Sequence, residues 1–283
     1  MRANPAFRAL ALALVVGAVS VGPAVAQFDV PRPSPKATVS QVVGLTEVSI
    51  AYCRPGAKGR TIWGGLVPYD EVWRTGANEA TTIMFSTDVA IDGNALAAGT
   101  YGLFTIPGKD EWTVIFNKGA KQWGAYEYKQ AEDALRIKVK PQAAPFTERL
   151  TFSFPNTATD MTDVAMNWEK LQIGFVVKVD VVAKVLADAR KELSDWRTPL
   201  RAAAFCADNN VNLAEALTWA DRSIAITPGY YNTFTKARLL AATGKKVEAV
   251  ALARRAIELG QKAQPKADTT PAEHALIEWS GGK

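Results

Sequence analysis

At 283 residues, with 48% hydrophobic and 22% charged, the chain is globular in composition and long enough for one large or two ordinary domains. Its formal charge of +5 is mild, and no basic face or recognisable module accompanies it, which excludes a nucleic-acid reader. Two cysteines, Cys53 and Cys206, and a single histidine, His274, exclude a zinc site of the usual kind.

Residues 1–26 carry Arg2 and Arg8, an apolar run from Ala9 to Val21 and the small-x-small triplet Ala24-Val25-Ala26, with no acidic residue. This is the pattern of a secretory signal peptide. The run is shorter than the roughly 18 residues of a membrane span, and no cysteine follows Ala26 for lipidation. The expectation is an exported chain, periplasmic or secreted, that starts at Gln27 and has no span after cleavage. Loss of the two arginines lowers the formal charge to +3. An exporting compartment permits a disulfide. The two cysteines are nevertheless expected unpaired, because they fall in different predicted domains among apolar neighbours.

Residues 27–35 hold three prolines and read as an extended linker. From residue 36 the period is two. Val48, Ile50 and Tyr52 alternate with polar or small residues up to the Arg54-Pro55-Gly56 break. Thr81 to Ser86 and Val89 to Ile91 read as one extended run turned by Asp92-Gly93-Asn94, followed by strands from Thr100 to Ile106 and Glu111 to Asn117. Further alternations are Leu135, Ile137, Val139; Leu150, Phe152, Phe154; and Leu171 to Val179. About nine strands without a helical period predict an antiparallel β-domain, a sandwich or distorted barrel, over residues 36–180.

Between the first of these strands and the next lies Arg54 to Thr82, which packs Arg54, Arg60 and Arg74 with Trp63, Tyr69, Trp73, Asp70, Glu71, Asn78 and Glu79 among five glycines. Arginine forks hold carboxylates or phosphates, and flat aromatic faces stack on sugars or rings. The same residues also fit a scaffold in which arginines bridge Asp70, Glu71 and Glu79 while the tryptophans fill the end of the sandwich. Arg54-Pro55, Gly59-Arg60, Trp63-Gly64 and the run Val72 to Thr81 (VWRTGANEAT) resemble an exported bacterial family, the domain-of-unknown-function family numbered 2911. The resemblance supplies a family and no activity.

A second aromatic loop, Lys118 to Ala134, contains Trp123, Tyr126 and Tyr128 and follows Asn117. If both loops collect at one end of the sandwich they form one mouth, with Arg74 and Glu79 turned into it and Trp73 beneath. Trp112 reads as core. Gly56 to Thr61 lacks the spacing of a phosphate loop, and Arg136, Lys138 and Lys140 read as a solvated strand face.

At Val181 the period becomes helical, and alanine dominates. Ala216 to Ile226 aligns with Ala249 to Leu259 at an offset of 33 residues, resembling the second helix of a tetratricopeptide hairpin, with Ala237 and Gly244 at the family's small positions. Ala220 and Ala253 stand where a large aromatic is usual. The expectation is an all-α, tetratricopeptide-like segment over residues 181–262, packed on the β-domain or on a partner because two units alone are too few, and a tail from 263 to 283.

The function expected is a non-catalytic ligand-binding or protein-interaction module of the cell envelope without a cofactor. Its β-domain would hold a polar, anionic or sugar-like ligand at Arg54, Arg60, Trp63, Tyr69, Trp73, Arg74, Asn78, Glu79, Asn117, Trp123 and Tyr126, and its helices a protein partner. The alternative is a hydrolase with Glu79 or Asp70 as general acid or base, which requires a carboxyl isolated in a cleft with its pKa raised.

Overall fold

The computed structural model describes residues 30–191 and 195–281, so the signal-peptide expectation for residues 1–26 lies outside the described residues. Ten strands build two sheets. They are β1 (Lys36–Val43), β2 (Thr46–Cys53), β3 (Thr82–Phe85), β4 (Val89–Ile91), β5 (Asn94–Leu96), β6 (Gly99–Ile106), β7 (Trp112–Asn117), β8 (Asp133–Val139), β9 (Gln142–Ser153) and β10 (Met161–Lys178). One sheet has the order β1-β2-β3-β6-β7-β8, the other β5-β4-β10-β9, and all pairings are antiparallel. The inward-facing residues Val48, Ile50, Ile83, Leu103, Val114 and Phe116 of the first sheet meet Val164, Met166, Ile173, Phe175 and Val177 of the second. The domain is therefore a sandwich.

Thr81 to Ser86 and Val89 to Ile91 are not one run. The chain leaves the first sheet after β3, and β4 with β5 forms a hairpin that joins β10 in the other sheet. Continuous alternation hides such a crossing, because both sheets bury the same parity.

β10 also departs from a single straight strand. Residues 164 and 174 of a straight strand lie roughly 33 Å apart, yet a Cβ on Gly174 would stand 2.7 Å from the Val164 carbonyl oxygen. The strand therefore doubles back, turning at Glu169, whose φ of 56° is left-handed. The absence of a side chain at Gly174 lets the two limbs close.

The outer face of the first sheet buries Phe104 and Ile115 under Val72, Ala125 and Tyr128, so the second aromatic loop lies flat upon it.

Six helices follow: α1 (Val181–Lys191), α2 (Arg197–Asn209), α3 (Leu213–Ile226), α4 (Tyr230–Ala242), α5 (Lys246–Lys262) and α6 (Thr270–Trp279). Consecutive helices pack as antiparallel hairpins of tetratricopeptide-like form. Ala216, Ala220, Ala249, Ala253 and Ala256 are fully buried between them. Alanine in place of the usual aromatic removes bulk, so the helices approach closely. α6 caps the stack, with Trp279 against Phe234 and Ala272 against Tyr230.

Of the two expectations for the helices, packing on the β-domain or on a partner, the first is not met by any extended interface: among the described residues no strand shares more than a marginal contact with a helix. The apolar faces of α2 to α6 are spent on one another, and the junction is made by Val181, packed on the sandwich core beside Gly44. Residues 30–180 expressed alone should consequently give a β-type circular dichroism spectrum and one cooperative melt. An unfolded fragment would show that the helices complete the core.

Candidate functional site

The crossover from β2 to β3 is held by aromatic burial. Trp63 and Trp73 pack against Trp112 of β7 and Trp168 of β10, with ring centroids 4.9 Å (Trp63–Trp112), 5.7 Å (Trp63–Trp168) and 5.9 Å (Trp73–Trp168) apart. The Trp73 indole N–H donates to Gly76 O at 3.1 Å. Trp73 thus belongs to the core, as Trp112 does, and half-buried Trp63 packs against it.

The arginines lock backbone rather than carboxylates. Arg54 donates to Leu150 O at 3.0 Å and to Thr151 Oγ1 at 2.6 Å, tying the end of β2 to β9. Arg60 closes its own loop on Gly56 O and Ala57 O. Tyr69 lies over Gly64, where a Cβ would come within 2.7 Å of its ring. The bridges expected from these arginines to Asp70, Glu71 and Glu79 do not form.

Arg74 follows Trp73 on an extended stretch and points to the opposite, outer face, where its neighbour Val72 packs. Its Nε is buried without a hydrogen-bond partner among the described residues. Arg74 does not meet Glu79, which a different cation holds, so the expectation that both turn into one mouth is corrected.

That cation is Arg32. Its Nη1 donates to Glu79 Oε1 at 2.7 Å and Oε2 at 2.9 Å, and the Cys53 thiol donates to Oε2 at 3.4 Å. The Arg32 hydrogen bond, followed by a backbone hydrogen bond within Glu79, brings the carboxyl down to about 2 from its usual 4.5. Burial pushes the Cys53 thiol up. Cys53 and Cys206 are both buried and free.

Segment 78–80 brings the two aromatic loops together. Asn78 O accepts from Gly124 N at 3.0 Å, Ala80 N donates to Gln122 O at 3.0 Å, and Glu79 pairs with Trp123 as an antiparallel bridge. Asn78 adopts a φ of 58° to make this turn. The second loop is anchored from below by Asn117, fully buried, whose amide donates to Lys129 O and Asp133 Oδ1 while its oxygen accepts from Gly119 N. Trp123 and Tyr126 stand out from the loop, 54% and 85% exposed.

Where the loops meet, a cleft of ≈ 380 Å³ opens on the outer face, lined by Lys36, Tyr52, Cys53, Glu79, Lys121 and Gln122 over a floor that includes Ala51, Ala80 and Thr82. Of the predicted site residues only Glu79 lines it, with Asn78 and Trp123 joined to its rim. Arg54, Arg60, Trp63, Tyr69, Trp73 and Asn117 serve as scaffold. Sequence reasoning missed Arg32, Lys36, Cys53, Lys121 and Gln122. The lysines carry no local signal, and Arg32 lies 47 residues from its partner.

Asp70 is exposed at the far end of the crossover, its N–H on Pro107 O, and does not line the cleft. Among the described residues no group of three or more His, Cys, Asp or Glu side chains is placed to hold a metal ion, and no helix is long and apolar enough to cross a membrane.

Two predictions follow from this geometry. Asn117→Ala leaves its buried partners unpaired and should cost about 1–3 kcal/mol in a denaturant melt. Glu79 has its folded pKa below its unfolded one, so its pairing with Arg32 stabilises above about pH 4.5 and is lost as the pH falls toward 2. The melting difference between the parent and Glu79→Gln should be largest at neutral pH and close towards pH 2; a difference independent of pH would show that the pairing contributes nothing.

The family described as Protein of unknown function (DUF2911) matches residues 34–177, just over half of the chain. No curated protein and no solved structure matches it.

Proposed function

The chain belongs to the DUF2911 family, and we propose that it is an exported, non-catalytic binding module of the bacterial cell envelope that holds a small polar ligand bearing an acidic group. The observation that carries this reading is the charge of the cleft. Lys36 and Lys121 line it and form no ion pair among the described residues, while its one carboxylate, Glu79, is already neutralised by Arg32. Positive charge without an internal counter-ion in a cavity of ligand size favours an anion. The exposed rings of Trp123 and Tyr126 stand on the adjoining loop, where a sugar or other flat group can stack.

The hydrolase alternative is weaker on the same geometry. A general acid must hold a proton at working pH, and Glu79 is kept ionised. The helical half supports a protein-docking role, because tetratricopeptide-like hairpins present extended surfaces and here leave Tyr231, Val247 and Ile277 exposed.

A thermal-shift screen against sugar acids, nucleotides and organic acids tests the binding reading. Hits should stabilise the parent and lose their effect in Lys36→Ala and Lys121→Ala. Neither substitution should change the ligand-free stability by more than about 0.5 kcal/mol, both residues being surface lysines. A hit that acts equally on both variants places the ligand elsewhere. For export, N-terminal sequencing of the processed protein should start at Gln27; Met1 retained in a membrane fraction would refute it.

A further inference from the structure

Residues 30–35, which read as a linker, run along the rim of the cleft. Arg54 N donates to Pro35 O at 2.9 Å, Asn78 Nδ2 to Ser34 O at 3.2 Å and Arg149 Nη1 to Pro33 O at 3.3 Å, and Arg32 sits on Glu79. The segment then enters Lys36, the first residue of the cleft wall. None of its side chains is buried, and Val30 is 65% exposed. Alternate prolines keep it extended and remove the donors with which it would join a ladder.

A segment held by three hydrogen bonds, of which that from Asn78 is part-buried, and one exposed ion pair, with no buried side chain of its own, opens without disturbing the core. When it opens, Glu79 is left as an ionised carboxylate in a cleft whose other charged walls are Lys36 and Lys121. Those three groups complement a molecule carrying both signs. Arg32 already supplies one of them, a guanidinium on both oxygens of Glu79.

We infer that residues 30–35 are a displaceable strap and that Arg32 holds the place of a ligand's cationic group. The ligand is then a small zwitterion, its ammonium or guanidinium on Glu79 and its acidic group against Lys36 and Lys121. This rests on the binding reading above and adds to it the second charge and the competitor. A strap closed nine-tenths of the time lowers the apparent affinity about tenfold.

Cys53 supplies an internal reporter of strap opening, because its thiol lines the cleft and bonds to Glu79, while Cys206 is fully buried in α2. In Arg32→Ala, Cys53 should react with Ellman's reagent at least about tenfold faster than in the parent, with Cys206 unreactive. An unchanged rate overturns the strap.

Calorimetric titration then tests the ligand class with L-arginine, agmatine (cation only) and succinate (anion only) on the parent and on Arg32→Ala. L-Arginine should bind Arg32→Ala about tenfold tighter than the parent and more tightly than either single-charge probe. Equal L-arginine affinity in the two proteins overturns Arg32 as the placeholder. Agmatine or succinate binding as well as L-arginine overturns the zwitterion, as does no L-arginine binding to either protein. A screen hit that protects Cys53 in the parent keeps the binding reading alive through any of these failures. If nothing protects Cys53, the cleft reading falls with this one.

Discussion

Four tryptophan rings closed on one another decide where everything at this end of the sandwich sits. The crossover from Cys53 to Thr82 joins two neighbouring strands through a stretch far longer than the few residues a hairpin needs. Ordering it takes away conformational freedom at a large entropic cost. Trp63 and Trp73 remove that freedom by packing on Trp112 and Trp168, which come from opposite sheets. Aromatic contacts of this kind contribute about 0.5–1.5 kcal/mol each beyond their buried area, and four of them share the cluster. Because Trp73 is fixed, Asn78 to Ala80 can leave the far side of the crossover in a set direction and pair with residues 122–124.

The cleft is a consequence of that pairing rather than of the sandwich itself. Its floor is the outer face of β2 and β3, where Ala51 and Thr82 are small enough to leave room, and its wall is the second loop, levelled onto the sheet by Asn117 and Tyr128. Two arginines conspicuous in sequence, Arg54 and Arg60, work below or beside this space by satisfying carbonyl oxygens that the crossover would otherwise bury unpaired. Their fork geometry suits a backbone acceptor as well as a carboxylate. Residue type alone therefore does not separate scaffold from site.

Alternation made the β-half legible, since Val48, Ile50 and Tyr52 or Leu171 to Val179 each bury one parity as a half-wet strand must. The same rule hid the passage of β4 into the second sheet, because Ile83, Phe85, Val89 and Ile91 keep one buried parity, whereas the doubling back of β10 shifts it from Val164, Met166 and Trp168 to Ile173, Phe175 and Val177. In the helical half the 33-residue repeat marked α3 and α5, and the buried alanines explain why so few large side chains suffice. At the site, sequence pointed to the right stretch and to Glu79, but to the wrong partner. Arg74 is nearer along the chain, yet its Nε is buried without a hydrogen-bond partner, whereas Arg32 reaches Glu79 only because the strap is laid there by Arg54, Asn78 and Arg149. Contacts across 47 residues depend on the finished fold.

The strap's route also relates the cleft to the helices. β1 starts at Lys36 on the cleft wall and runs fully paired with β2 to the turn at Gly44, which abuts Val181 at the start of α1. A Cβ at Gly44 would come 2.4 Å from the Val181 side chain, so this turn has no slack. The cleft and the first helix are thus the two ends of one β-hairpin, about eight residues or roughly 26 Å apart. Beside this turn, residues 88–90 and Asp160 of the β-domain line a cavity with Val181 and Val182 at the start of α1. The helices beyond Val181 are packed on one another.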